Sequence, residues 1–97
     1  MKVRLTSQAT QDVAAIADYL REKNPAAALR VRETLLKSFQ NLAVFPYMGR
    51  RQMLEGVRKI VTRRYRYLVY YTVDASADEV IVLSIQHPAR ARAHQDL

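Results

Sequence analysis

Eighteen consecutive residues, Gly56 to Val73 (GVRKIVTRRYRYLVYYTV), combine two properties that seldom coincide. They form the densest run of β-branched and aromatic residues in the chain, the composition a pleated sheet selects. They are also its most basic segment: Arg58, Lys59, Arg63, Arg64 and Arg66 fall within nine positions, and Arg50 and Arg51 lie just upstream. Burying that much charge is costly, so a strand that had only to fold would not carry it. The segment therefore reads as two strands whose apolar residues hold the fold and whose arginines face something outside it.

The charge is as localised as the hydrophobicity. Of a net +7, residues 50–66 contribute +6, residues 1–49 +3 and residues 67–97 −2. A patch of this kind attracts nucleic acid, a nucleic-acid machine or an acidic protein; the alternative is a merely solvated basic surface. The 97 residues suit a single domain, residues 1–97, with a modest core. There is no cysteine, which removes disulfide and thiolate chemistry and points to a reducing compartment. No apolar run approaches the ~20 residues of a membrane span, and MKVRLTSQAT lacks the apolar core of a signal peptide. The expectation is a cytoplasmic protein that does not engage membranes.

Taken in order, Lys2 to Thr6 alternates apolar and basic residues, as in a short edge strand. Ser7 is placed to cap a helix from Ser7 to Lys23, whose apolar stripe is Ala9, Val13, Ile16, Ala17 and Leu20. Asn24-Pro25 ends it and starts a second, Ala26 to Ala43, with Ala28, Val31, Leu35, Phe39 and Leu42 on one side. So short a connection makes the two an αα-hairpin. Pro46 and Gly49 then punctuate a loop. Strands follow at Val57–Thr62, Tyr67–Val73 and Val80–Gln86. In the last, Ile81, Leu83 and Ile85 form a wholly apolar face expected to meet the helices. The order is β-α-α-β-β-β. The class is α+β, an antiparallel sheet packed on a helical hairpin with one sheet face partly open.

Several chemistries have no foothold. The only two glycines, Gly49 and Gly56, make no phosphate-binding loop. His87 and His94 lack the partners of a metal site, so neither metal nor cofactor is expected. What remains is an arginine-rich sheet with His87 at the end of its last strand. Guanidiniums stabilising charge on phosphorus and an imidazole moving a proton would suffice for metal-free RNA cleavage. A strand-end histidine bonded to backbone is the plainer reading. Tyr65 and Tyr67 are placed for stacking on bases, whereas Tyr70 and Tyr71, in mid-strand, read as core.

The element order, the loop Phe45-Pro46-Tyr47-Met48-Gly49-Arg50, Gly56-Val57-Arg58 opening a strand, Tyr65-Arg66-Tyr67-Leu68-Val69-Tyr70-Tyr71 and the closing His87-Pro88-Ala89-Arg90 together resemble the ParE/RelE toxin superfamily of type II toxin–antitoxin modules. The resemblance covers nearly the whole chain, and the FPxxGR loop and RYLVYY strand are closer to the ParE branch. It implies a RelE/ParE-like fold and a toxin that inhibits DNA gyrase by protein contact, without catalysis. Arg58, Arg63, Arg64, Arg66 and Arg90 would contact the target. It implies a cognate antitoxin, whose acidic C-terminal segment folds onto the toxin's helices and open sheet to give a hetero-oligomer. The RelE branch implies the alternative: a ribosome-dependent mRNA endoribonuclease using Arg66, His87 and Arg90. Pro88, where that branch carries a basic residue, and a tail without tyrosine favour the ParE reading.

Overall fold

The computed structural model describes residues 1–88; Arg90 and the rest of the polar tail lie outside the described residues. The chain forms β1 (Lys2–Leu5), α1 (Ser7–Lys23), α2 (Pro25–Val44), β2 (Arg50–Arg51), β3 (Val57–Val61), β4 (Leu68–Asp74) and β5 (Glu79–Gln86). The helical hairpin and the three long strands fall where apolar periodicity puts them. One strand is new. β2 is only two residues long, too short to leave a periodic trace.

Both helices start on side-chain caps. The α2 cap is Asn24, whose Oδ1 accepts from the Ala27 amide at 3.2 Å, with Pro25 in the first turn. The α1 cap is Thr6, not Ser7. Its Oγ1 accepts from the Ala9 amide at 3.1 Å and donates to the Leu83 carbonyl at 2.9 Å. Thr6 prevails because its hydroxyl satisfies the helix end and the adjacent strand at once. α2 returns to the start of the chain, where the Met1 ammonium donates to the Ala43 carbonyl at 2.8 Å.

The five strands lie in the order β1-β5-β4-β3-β2. All pairings are antiparallel except β1 with β5, which is parallel. The sheet is therefore mixed. A strand that leads into a helix covering its own sheet can join the edge in parallel without a hairpin, and a four-residue alternation carries no signal of direction.

The β5 face corrects an expectation. Val80, Val82 and Ile85 are buried, and Ile81 and Leu83 are not. Tyr70 pairs with Ser84 but Tyr71 with Val82, leaving Leu83 as an extra residue. Such a bulge resets the two-residue period, so alternation along the whole strand assigns its first half to the wrong face. The bulge is tied to α1: Thr6 takes the Leu83 carbonyl, and the Ile85 amide donates to Asp12 Oδ2 at 2.9 Å.

The core lies between the helices and the inner sheet face. Leu42 from α2, Val69 and Tyr71 from β4, and Val80 and Val82 from β5 are its largest fully buried side chains. Each such Val or Leu contributes about 1.5–3 kcal/mol. β4, at the centre of the sheet, alternates buried Val69 and Tyr71 with half-covered Leu68, Tyr70 and Thr72. By register the latter share the outer face with Val57, Lys59 and Val61 of β3.

Candidate target-binding surface

The basic residues occupy two places, not one. The first is the turn between β3 and β4. Arg63, Arg64 and Arg66 are all exposed there. Tyr65 (φ 65°) and Arg66 (φ 52°) are both left-handed, a conformation costing a non-glycine residue about 1 kcal/mol or more. Thr62, the one buried non-aromatic polar side chain among the described residues at 3% exposure, holds the turn in that shape. Its amide donates to the Tyr67 carbonyl at 3.0 Å. Its Oγ1 accepts from the Tyr67 amide at 2.9 Å and donates to the Arg64 carbonyl at 2.6 Å. On the flank, Arg30 Nε of α2 donates to the Tyr65 hydroxyl at 3.1 Å.

The turn thus presents three guanidiniums on a braced backbone. The two ion pairs among the described residues, Arg4 with Glu79 and Arg21 with Asp18, involve none of them. Their positive potential is left for a partner. Thr62 was not singled out by sequence reasoning, although a threonine directly before a polar turn is the pattern of a side chain closing that turn.

His87 lies at the same end of the sheet. Leu68 pairs with Gln86, so the next residues out, Tyr67 and His87, face each other. Their rings meet edge to face, with centroids 5.6 Å apart and planes at 80°. Tyr67 is buried rather than offered for stacking. Burial pushes its hydroxyl pKa up, and the neighbouring Tyr65 and Tyr19 hydroxyls add to the rise. It remains a neutral phenol at physiological pH.

Arg58 is at the second place, near the other end of β3. Its Nη1 donates to the carbonyls of Gly49 (2.9 Å) and Tyr47 (3.1 Å), and its guanidinium lies over the Tyr47 ring at 5.3 Å. The Gly49 amide in turn donates to the Tyr71 hydroxyl at 2.8 Å. Arg58 and Tyr71, cross-strand partners, together clamp the Phe45–Arg50 loop. A Cβ on Gly49 would sit 2.5 Å from the Tyr71 oxygen and 3.0 Å from the Lys59 carbonyl oxygen, which accounts for glycine there. The structure therefore brings Arg63, Arg64, Arg66 and His87 to one end and gives Arg58 a loop to hold. Arg90, the fifth residue expected to contact the target, lies outside the described residues.

A third feature is an apolar groove of about 800 Å³ along the helical hairpin. Val13, Ile16, Leu20 and Leu35 line it, Leu29 and Leu36 stand exposed beside it, and Arg21 and Arg32 are on its border. Among the described residues no helix is long and apolar enough to cross a membrane. Nor does any group of three or more His, Asp or Glu side chains come together to hold a metal ion.

Two helices on one face of a five-stranded mixed sheet, with a basic turn and an apolar helical groove, define a small toxin fold of the RelE/ParE type. Residues 3–92 match the model of the ParE toxin of the type II toxin–antitoxin system parDE, and the chain belongs to that family. Among solved structures, a chromosomal ParDE toxin–antitoxin system from P. aeruginosa is similar at 24% identity and TM-score 0.74, covering 90% of this chain and 95% of that one. The RelBE2 toxin–antitoxin complex from Mycobacterium tuberculosis matches at 25% identity and TM-score 0.58, covering 91% of each chain. The intact E. coli RelBE complex matches at 15% identity and TM-score 0.57, covering 87% of this chain and 92% of that one. A comparison with curated proteins gave no match.

Proposed function

We propose that this ParE-type toxin acts in the cytoplasm by binding DNA gyrase through protein contact, without catalysis. The observation that carries this reading is the braced turn of Arg63, Arg64 and Arg66, three exposed cations without an ion-pair partner among the described residues. A protein-binding surface needs rigid anchors of complementary charge, and the Thr62 hydrogen bonds supply the rigidity. A cognate antitoxin restrains the toxin in a hetero-oligomer. Its acidic C-terminal segment folds on binding, laying an apolar helix face into the groove of the helical hairpin and its carboxylates against Arg21 and Arg32. The test is induction of the toxin without antitoxin. Cells should filament and accumulate DNA damage while translation continues at first, and co-expressed antitoxin should restore growth. Normal growth on high expression would contradict the toxin reading in either form.

A second reading, ribosome-dependent mRNA cleavage, draws on one observation: His87 and the Arg66 turn share an end of the sheet. There His87 would move the proton while Arg66 and Arg90 met the phosphate. Proline directly after His87 fixes the backbone there and supplies no charge, which weighs against this arrangement. Loss of toxicity in His87→Ala, with messages cut on the ribosome, would establish it in place of gyrase binding.

A further inference from the structure

The loop from Gln52 to Val57, at the end of β3 opposite the arginine turn, has no role in the reading above. It is rigidly built. The Gln52 amide donates to the Val57 carbonyl at 2.9 Å and the Val57 amide to the Leu54 carbonyl at 3.1 Å. Gln52 Nε2 donates to the Arg50 carbonyl at 2.8 Å, and Thr72 Oγ1 donates to the Gly56 carbonyl at 2.7 Å. Gly56 takes a left-handed φ of 80° that permits the return. Yet this fixed loop holds two large apolar side chains out in water. Met53 is 105% exposed, the most exposed large apolar residue described, and Leu54 is 72% exposed. Isolated exposed apolar residues are commonplace. Here two adjacent ones are held outward, because the backbone could turn them inward only by giving up the four hydrogen bonds that tie the loop.

The surroundings specify the partner. Below the tip is a cleft of about 590 Å³, bordered by Tyr47, Met53, Val57 and Val73, with Arg51, Arg58 and Glu55 at its edges. Arg50 and Arg51, exposed on β2, and Lys59 and Arg58 on β3 outnumber Glu55, the one acid of residues 50–59. We infer that Met53 and Leu54 form a protein-docking tip. They enter an apolar pocket on a folded protein, and Arg50 and Arg51 meet carboxylates around that pocket. Met53, unbranched and polarizable, suits such a pocket. Central apolar anchors ringed by charge are the usual energetic pattern of a protein interface. A nucleic acid would reward this tip less: its phosphates offer nothing to a methionine or leucine, and only unstacking a base step, at a cost of a few kcal/mol, would admit one. Single strands are gripped by aromatic stacking, and Tyr47 already lies under Arg58.

Resting on the gyrase reading, this gives the target two points of contact. The arginine turn and the Met53–Leu54 tip cap opposite ends of β3, a five-residue strand about 17 Å long. The two contacts differ in chemistry: the turn is electrostatic, whereas the tip is apolar at its centre and charged only at its rim. The turn sets encounter and salt dependence, and the tip sets residence time.

The test compares full-length wild type, M53D/L54D and the conservative M53L/L54M for binding to purified gyrase, for inhibition of supercoiling and for binding to a duplex DNA without gyrase. Melting temperature and antitoxin affinity serve as controls. M53D/L54D should melt with wild type and bind antitoxin as tightly, yet bind gyrase at least about tenfold more weakly, chiefly through faster dissociation. M53L/L54M should keep near-wild-type affinity. If M53D/L54D does not fold, M53S/L54S replaces it with the same expectation. Undiminished gyrase binding by a folded tip variant, while wild type inhibits normally, would overturn the tip alone. An equal loss of binding to free duplex DNA by M53S/L54S, which adds no charge, would also overturn it, identifying the tip as a DNA wedge. If wild type itself neither binds nor inhibits gyrase, the target is wrong and the assignment of this surface falls with it.

Discussion

The Thr62 hydroxyl donates to the Arg64 carbonyl at 2.6 Å, inside a turn whose outer surface is three arginines. A buried threonine thereby decides where exposed charge points. Without that bond Tyr65 and Arg66 lose their reason to remain left-handed, and the guanidiniums disperse. Thr62→Val keeps the shape of the side chain and removes both hydroxyl bonds. It strands the Tyr67 amide, at a cost of about 1–3 kcal/mol. We expect Thr62→Val to fold with a lower melting temperature and to lose more gyrase affinity than its stability loss explains, measured at a temperature where both proteins are fully folded. Thr62→Ser should restore the affinity.

Arg58 and the turn arginines should separate experimentally. Arg58→Ala removes two bonds to loop carbonyls and the cover over Tyr47, so its melting temperature should fall. Single alanines at Arg63, Arg64 or Arg66, which the structure leaves in solvent, should leave stability within about 0.5 kcal/mol of wild type. Denaturant titrations of the four variants check this. Equal effects would mean that the Tyr47–Gly49 clamp contributes nothing.

The pairing of Gly49 with Tyr71 predicts a larger penalty. Gly49→Ala places a methyl 2.5 Å from the Tyr71 oxygen, and relieving the clash breaks the bond to the Gly49 amide. Overpacking and a lost buried hydrogen bond together should cost about 2–4 kcal/mol. Tyr71→Phe, which loses the bond without the clash, should cost less. A chemical denaturation series in which Gly49→Ala is the milder of the two would contradict the packing described.

How much of this was legible in the sequence depends on the residue. Asn24-Pro25 marked the helix boundary because capping and proline geometry are local. β4 was legible because its apolar faces fill the centre of the sheet. The β5 faces were not, because the bulge at Leu83 depends on Thr6 and Asp12, more than seventy positions away. Nor was the parallel pairing of β1, which is a property of the crossover and not of four residues. At the surface, the sequence located the charge but not its division. Arg58 and Arg63 look alike in a string of basic residues, and only the register that sets Arg58 opposite Tyr71 makes one of them a clamp.

Alkaline stability follows from the tyrosines. Tyr67 and Tyr71 both have pKa values raised above 10.0, in each case mainly by burial; the Gly49 amide and Arg58 partly offset the rise for Tyr71. The folded state therefore keeps protons that the unfolded state releases first. Their contribution is full below about pH 10 and is lost as pH climbs through the folded values. Stability should be flat with respect to these two groups near neutrality and fall above pH 10. Tyr71→Phe should flatten that fall. A midpoint unaffected by pH from 9 to 11 (about one unit either side of the ordinary tyrosine value) would contradict their burial.

Inhibition of gyrase supercoiling by purified toxin is the most direct test of the central claim, with wild type, R63E/R64E/R66E and His87→Ala compared at equal concentration. The account predicts that wild type and His87→Ala inhibit alike. The charge-reversed turn should not inhibit, because like charges facing each other across an interface cost several kcal/mol, and it should melt and bind antitoxin as wild type does. Gyrase left fully active by wild type, or inhibited as well by R63E/R64E/R66E as by wild type, would contradict the account.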